Sequence, residues 1–307
     1  MMMKRYIILL SALLFGLVSC SKEDLEVTSN SLVVENFYKS ANDFQMALNS
    51  CYITMMGKGL HGRQYPMYFG VWDDRTLFET TGRDRLITTS SSGEVEEVFD
   101  ELYMGVYRTS RLLEQLYAKG VEGIEGMTEE TYLSMEAQAR ALRALYYFKL
   151  VTIFDRPFFY NEENIPQDLL APLGNAEPLT FWDQLEMDLE VALPSLPARS
   201  AQAPEDAGRM TRGAVQGLMG KALLYKHYYY YERFGQGGTE EDKADLQKAR
   251  DMFLALINDP DYQLVQPLAP KSRKDYIYAL LSNSSYVDLV AGDNVYPSEN
   301  NIESVWE

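Results

Sequence analysis

The sequence predicts an all-α chain: tetratricopeptide-like helical hairpins forming a superhelical scaffold, with long irregular loops and few short strands. Three observations carry this reading. Apolar residues recur at steps of three and four over long stretches, which lines one face of a helix. Two of these stretches start near Glu94 and Thr128, about 34 residues apart, the tetratricopeptide period. Strand signals are few and short, the best being residues 262–265 and 286–290. By itself this spacing supports paired helices, with a solenoid as one way of stacking them.

The elements follow in order. A first helix is expected over residues 41–56. In the second, over 94–119, Val95, Val98, Phe99, Leu102, Tyr103, Val106, Leu113, Leu116 and Tyr117 form one stripe. Ser92 is placed to cap its start, and Gly120 its end. A third runs over 128–154 with Thr128 as N-cap; Thr131 stands where a full capping box would need Glu. Arg156-Pro157 ends it, because the residue before proline is pushed out of the helical region. A fourth, over 178–193, carries Leu179, Trp182, Leu185, Leu189 and Ala192 on one side and is closed by Pro194 and Pro197. A loop over 198–208 leads to helices over 211–233 and 240–258, a second hairpin of the same kind.

The N-terminus bears on compartment. Lys4 and Arg5 precede a 13-residue apolar stretch, residues 6–18. Crossing a bilayer as a helix takes about 20 residues, so the stretch fits the core of a secretory signal instead. It ends in Leu17-Val18-Ser19-Cys20, which resembles a bacterial lipobox with Cys20 as the lipidated residue. The expected organisation is a signal peptide over 1–19, a lipidated Cys20 with a polar tether over 20–40, and a helical domain over 41–307. The acidic start of the tether, Ser21-Lys22-Glu23-Asp24, resembles the signal that sends lipoproteins of Bacteroidetes to the cell surface. With Cys20 acylated, Cys51 has no internal disulfide partner, so the core must supply the stability. The formal charge of −17 disfavours nucleic acid and anionic lipid headgroups, both of which need clustered Lys and Arg.

Five motifs in order resemble the SusD/RagB family. They are Ala137-Gln138-Ala139-Arg140-Ala141-Leu142-Arg143-Ala144-Leu145-Tyr146-Tyr147-Phe148; Phe181-Trp182-Asp183 through Leu193-Pro194; Gly208-Arg209-Met210-Thr211 with Lys221-Ala222-Leu223-Leu224-Tyr225; Lys248-Ala249 through Tyr262-Gln263-Leu264; and Asn301-Ile302-Glu303-Ser304-Val305-Trp306-Glu307. The chain departs from the family pattern at Ser110, where Asn is common, and between Phe154 and Pro157, where a Gly is usual. It also stops inside the last motif, so a truncated form is expected. The resemblance implies a lipid-anchored outer-membrane protein facing the cell exterior. Such a protein would bind oligosaccharide, or peptide in RagB-like members, and pass it to a SusC-like TonB-dependent transporter. The other reading is a helical-repeat scaffold lipoprotein that binds proteins or peptides in the outer envelope.

For ligand contact the segment Tyr65-Pro66-Met67-Tyr68-Phe69-Gly70-Val71-Trp72-Asp73-Asp74-Arg75 stands out. Flat rings of Tyr65, Tyr68 and Trp72 can lie on sugar faces, while Asp73 and Arg75 can bind hydroxyls. The same rings would also serve packed beneath the first hairpin. Asp73 and Asp74 do not make a glycosidase pair: neighbours on an extended segment point apart, whereas hydrolysis needs carboxylates about 5 to 9.5 Å apart across one bond. The four tyrosines over 228–231 must point in several directions, leaving some ring exposed. Gly235, Gly237 and Gly238 lack the strand and Lys-Ser/Thr pair of a phosphate cradle. His61 and His227 have no nearby Cys and no spaced carboxylate partner, so neither a metal site nor a cofactor is expected. No nucleophile elbow is present, and no catalytic residue is assigned.

Overall fold

A computed structural model describes residues 37–66, 92–166 and 174–262. The body that begins at Ser40 is helical, and among the described residues there is no strand, only two isolated bridges. Its α-helices are α1 (Ala41–Met55), α2 (Gly93–Lys119), α3 (Glu129–Phe154), α4 (Pro178–Ala192), α5 (Arg212–Lys226) and α6 (Glu240–Ile257). α2 packs on α3, α3 on α4, and α5 on α6, with α1 lying against α2 and α3. The all-α, tetratricopeptide-like architecture expected from the periodicity is the one observed. The strand candidates lie outside the described residues except for Tyr262, which is in irregular chain.

The caps are local, and that of Thr128 is as expected. The side chains of Thr128, Thr211 and Thr239 accept from backbone N–H groups at the starts of α3, α5 and α6. Ser40 makes a complete capping box with Asp43 at the start of α1. Ser92 is the N-cap of α2 by position but makes no side-chain cap bond. The expected single helix over 211–233 changes pitch at its end: after Lys226 the chain runs as a π-helix, His227–Glu232.

α3 is the central element. From Ala137 to Val151 every residue except Arg140 is buried, so the helix is enclosed on all sides rather than on one stripe. Small residues permit that enclosure. A Cβ on Gly105 of α2 would sit 2.4 Å from the Tyr146 ring, so the two helices approach there as only glycine allows. The long side chains then tie α3 outward. Tyr146 Oη donates to the Cys51 carbonyl of α1 at 2.7 Å, and Tyr147 Oη to the Tyr160 carbonyl at 2.6 Å.

One charged cluster fastens α3 to α4. Arg143 is fully buried and grips Asp188 with two parallel bonds, Nε to Oδ2 and Nη2 to Oδ1, both 2.8 Å. Arg140 reaches the same Asp188 Oδ1 at 2.7 Å, and Gln184 adds a fourth bond at 3.2 Å. Arg143 Nη1 also pairs with Glu162 in the segment between the helices. Burial pushes the Glu162 carboxyl up, but the Arg143 guanidinium outweighs it and holds the group below the usual range. A second cluster joins α4 to the last hairpin: Lys226 of α5 contacts Glu186 at 3.3 Å and Asp245 of α6 at 2.8 Å, while Lys248 meets Glu186 at 2.6 Å.

α3 ends in a tight reversal. Asp155 has φ +65° and ψ −75°, and Arg156 N–H bonds the Phe154 carbonyl at 2.8 Å, which makes a γ-turn of the rare positive-φ kind. Position 155 lies in the stretch where the family resemblance leads one to expect Gly. Strain at such a residue costs about 1–3 kcal/mol, while the Asp155–Arg233 pair that glycine would lose is solvent-exposed and screened. Asp155→Gly is therefore expected to raise the melting temperature by about 2–4 °C, measured calorimetrically. Arg143→Met is expected to destabilise by about 3–5 kcal/mol in urea unfolding, because it strips a buried carboxylate of its main partner. The Arg143→Met/Asp188→Leu double variant should recover a good part of that loss; an additive loss would show that the pair is not the fastening.

Candidate ligand-binding face

The chain leaving α1 folds back on itself before Tyr65. Leu60 N–H bonds the Gly57 carbonyl at 3.0 Å, and Tyr65 N–H the Leu60 carbonyl at 3.2 Å. Gln64 is held to Glu97 of α2 at 2.6 Å, and Lys58 meets the same carboxylate at 2.5 Å. Those hydrogen bonds, Lys58 first, hold the Glu97 carboxyl below its ordinary range. Two anchors on α2 thus aim Tyr65 at the C-terminal half of α3. There the Lys149 Nζ stands 3.7 Å from the centre of the Tyr65 ring, a close cation–π contact.

α5 completes the face. Tyr225 packs edge-on to Phe148 of α3 with centroids 5.1 Å apart, and runs nearly parallel to Tyr229, 5.8 Å away with planes 9° apart. Tyr225 is the last-turn residue of α5, and Tyr229 belongs to the π-helix. Both rings are 37% exposed. The Lys221 ammonium lies 5.5 Å from the Phe148 ring centre and 5.7 Å from that of Tyr225. His61 faces Tyr65 with ring centres 5.6 Å apart.

The electrostatics of this face are one-sided. Lys149 is only 7% exposed, and burial first, then the Lys221 charge, pulls its pKa down to about 8. His61 is lowered by its own burial and by Lys149. No ion pair joins Lys149 or Lys221 to a carboxylate of the described residues. Lys226, the other deeply buried lysine, is the contrast: it sits between Glu186 and Asp245, and despite burial its pKa is raised.

Of the residues expected to touch ligand, only Tyr65 lies among those described. Tyr68, Trp72, Asp73 and Arg75, and the expected lipidation site Cys20, lie outside them. Lys149, Lys221 and Tyr225 were not singled out in the sequence, although Lys221 and Tyr225 fall inside a quoted helix motif and Lys149 directly follows another. The tyrosine run behaves as expected, with Tyr228 68% exposed and Tyr231 buried. One expectation is corrected: His227 does have a spaced carboxylate partner. Its Nδ1 lies 2.8 Å from Asp242 Oδ1, because the turn over 233–239 folds the start of α6 back onto the π-helix. No group of three metal-ligating side chains occurs among the described residues. Among them no helix is long and apolar enough to cross a membrane. Cys51 is buried, and that burial pushes its thiol up to about 12, so it is no nucleophile at neutral pH.

A second concavity of about 410 Å³ lies between the loop after α4 and the end of α6, lined by Arg199, Ser200, Gln202 and Asp261 among others. Asp261 is committed there to the Ser200 N–H and hydroxyl, both at 2.9 Å.

The described residues thus form a helical-hairpin scaffold with rings and cations on one face. The comparisons narrow this. No family profile matches the chain. A SusD-like protein of Formosa agariphila is 24% identical over 226 residues, covering 66% of this chain and 40% of that protein. A second from the same organism is 27% identical over 161 residues, covering 51% and 31%. Among solved structures, a SusD homologue from Bacteroides thetaiotaomicron superposes with TM-score 0.67 at 19% identity, over 85% of this chain and 47% of that one. A laminarin-binding SusD-like protein gives 0.59 at 20% identity, over 79% and 49%. A SusD-like carbohydrate-binding protein from Bacteroides fragilis gives 0.57 at 18%, over 74% and 42%. The chain is SusD-like in sequence and in fold, and it spans less than half the length of the curated relatives it matches.

The depressed Lys149 has a consequence for stability. Its folded-state pKa of about 8 lies below the unfolded value of 10.5, so between these the unfolded chain binds more protons and stability rises with pH. From about pH 9 the raised Cys51 pulls the other way, since its unfolded thiol ionises first. Lys149→Met is expected to stabilise the protein at pH 7 by about 1–3 kcal/mol, the cost of holding that charge under cover. It should also remove the rise between pH 8 and 9. Urea unfolding at pH 7, 8 and 9 measures both; an unchanged slope would show that Lys149 is solvated.

Proposed function

We propose that this protein is a surface lipoprotein that captures oligosaccharide and hands it to a SusC-like TonB-dependent transporter, and that it has no catalytic step of its own. The observation that carries this reading is the half-exposed, parallel-stacked Tyr225–Tyr229 pair, on a fold that it shares with a laminarin-binding protein and with a SusD-like carbohydrate-binding protein. The exposed outer face of such a pair offers apolar surface to the axial C–H faces of pyranose units, and adjacent ammonium groups donate to hydroxyls. The signal-like stretch, Cys20 and the polar tether favour export and anchoring by acyl chains rather than by a basic patch.

Two measurements test it. Affinity electrophoresis of the soluble domain starting at Ser21, run through gels holding a panel of polysaccharides, should show retardation by at least one. Tyr225→Ala should weaken that retardation about fivefold to tenfold, corresponding to about 1–1.4 kcal/mol for a lost stacking contact. Trp72→Ala tests whether the segment after Tyr65 shares in the contact. No retardation by any glycan would favour the protein-binding scaffold. Metabolic labelling with radioactive palmitate should mark the full-length protein and fail with Cys20→Ala; labelling that survives the substitution would sink the anchor.

A further inference from the structure

The strongest unexplained feature is a charge held under cover with no carboxylate of the described residues paired to it. Lys149 is more than nine-tenths buried on a helix where Leu or Met would pack as well, and its ammonium rests on the Tyr65 ring. Lys221 stands nearby on α5, repelling it, over the shared Phe148 ring. In a chain of net charge −17, two ammonium groups side by side and away from the carboxylates of the described residues make a local reversal of sign. The internal lysine Lys226 shows how this fold satisfies a cation when it serves structure: Glu186 and Asp245 flank it. Among the described residues Lys149 and Lys221 lack that arrangement, and Lys221 borders the ring of Tyr225, which stacks on that of Tyr229.

We propose that the face formed by Tyr65, Lys149, Lys221, Tyr225 and Tyr229 takes an anionic sugar, a uronate or a sugar sulfate. The pyranose ring lies on the tyrosine pair, and its carboxylate or sulfate meets the two ammonium groups. The charge on Lys149, unfavourable in the empty protein, is then neutralised by the ligand, and the stability it costs returns as selectivity for charged over neutral sugar. Tyr65 holds Lys149 in place through the cation–π contact and closes the far side of the site. The assignment rests on the glycan-capture reading and names the class of glycan.

The test compares matched pairs that differ only in charge: polygalacturonate against its methyl ester, and dextran sulfate against dextran, in affinity gels at fixed ionic strength. The wild-type domain should be retarded at least fivefold more by one charged polymer than by its neutral counterpart. Lys149→Met and Lys221→Gln should each erase most of that difference. Lys221 is exposed, so its variant reports binding without threatening the fold, and circular dichroism checks the Lys149 variant. The pair of polymers that shows the difference tells carboxylate from sulfate. Equal retardation by charged and neutral members, or full retardation retained in both lysine variants, would overturn the anionic assignment and leave glycan capture standing. Retardation by no polymer of either kind overturns both.

Discussion

The Arg143–Asp188 grip is the constraint on which the rest of the described structure depends. A guanidinium and a carboxylate, both without solvent contact, are stable in a helical core only if each finds its full set of partners. Arg140, Gln184 and Glu162 complete that set, and each comes from a different stretch of chain. The result fixes how α4 lies on α3 and where the segment after α3 must run. Apolar contacts alone would let two such helices slide by a turn; two parallel N–H···O bonds into one carboxylate do not. The Lys226 and Lys248 cluster repeats the device one layer on, so the order of packing from α3 to α6 is set by charge as much as by shape.

That frame explains why the tyrosine platform sits where it does. α5 is located by Lys226 on its inner face, which turns Lys221 and Tyr225 toward the end of α3 that carries Phe148 and Lys149. The π-helix begins just after Lys226 and carries the next rings with it. It is held to α6 by the His227–Asp242 contact and by the Tyr231 hydroxyl, which donates to Asp245 at 2.8 Å, with Asp242 also accepting the Gly238 N–H at 2.7 Å. The face is therefore assembled from rigid elements on three sides, and its rings need little ordering when something binds.

Much of the frame was legible in the sequence because it is local. Helical period gave every described helix to within a few residues, and Thr128 announced its cap. The ion grip was half visible: Arg140 and Arg143 stand three apart, but nothing along the chain says that Asp188, 45 residues beyond Arg143, is their target. The change of pitch after Lys226 was not legible, since four tyrosines in a row fit an α-helix equally well by pattern. His227 and Asp242 were read as unrelated for the same reason. Lys149 and Lys221 passed as ordinary residues of predicted helices; what distinguishes them is the burial of Lys149 and the lack of a paired carboxylate among the described residues, and both are properties of the fold. Tyr65 was found because aromatic clustering is local, whereas the partner that gives it a role comes from α3.

Cys51 offers a use that follows from its isolation. Its thiol donates to the Ala47 carbonyl one turn back and has no solvent contact, under the α1–α3 seam closed by the Tyr146 hydroxyl. A reagent that attacks thiolates can reach it only when α1 lifts away from α3, so the rate of its labelling is a clock for that opening. In a form without Cys20 it is the single thiol of the chain, and the clock needs no engineering. Timing it with and without a bound sugar would reveal whether occupancy at the far end of α3 is felt as rigidity at the start of the domain.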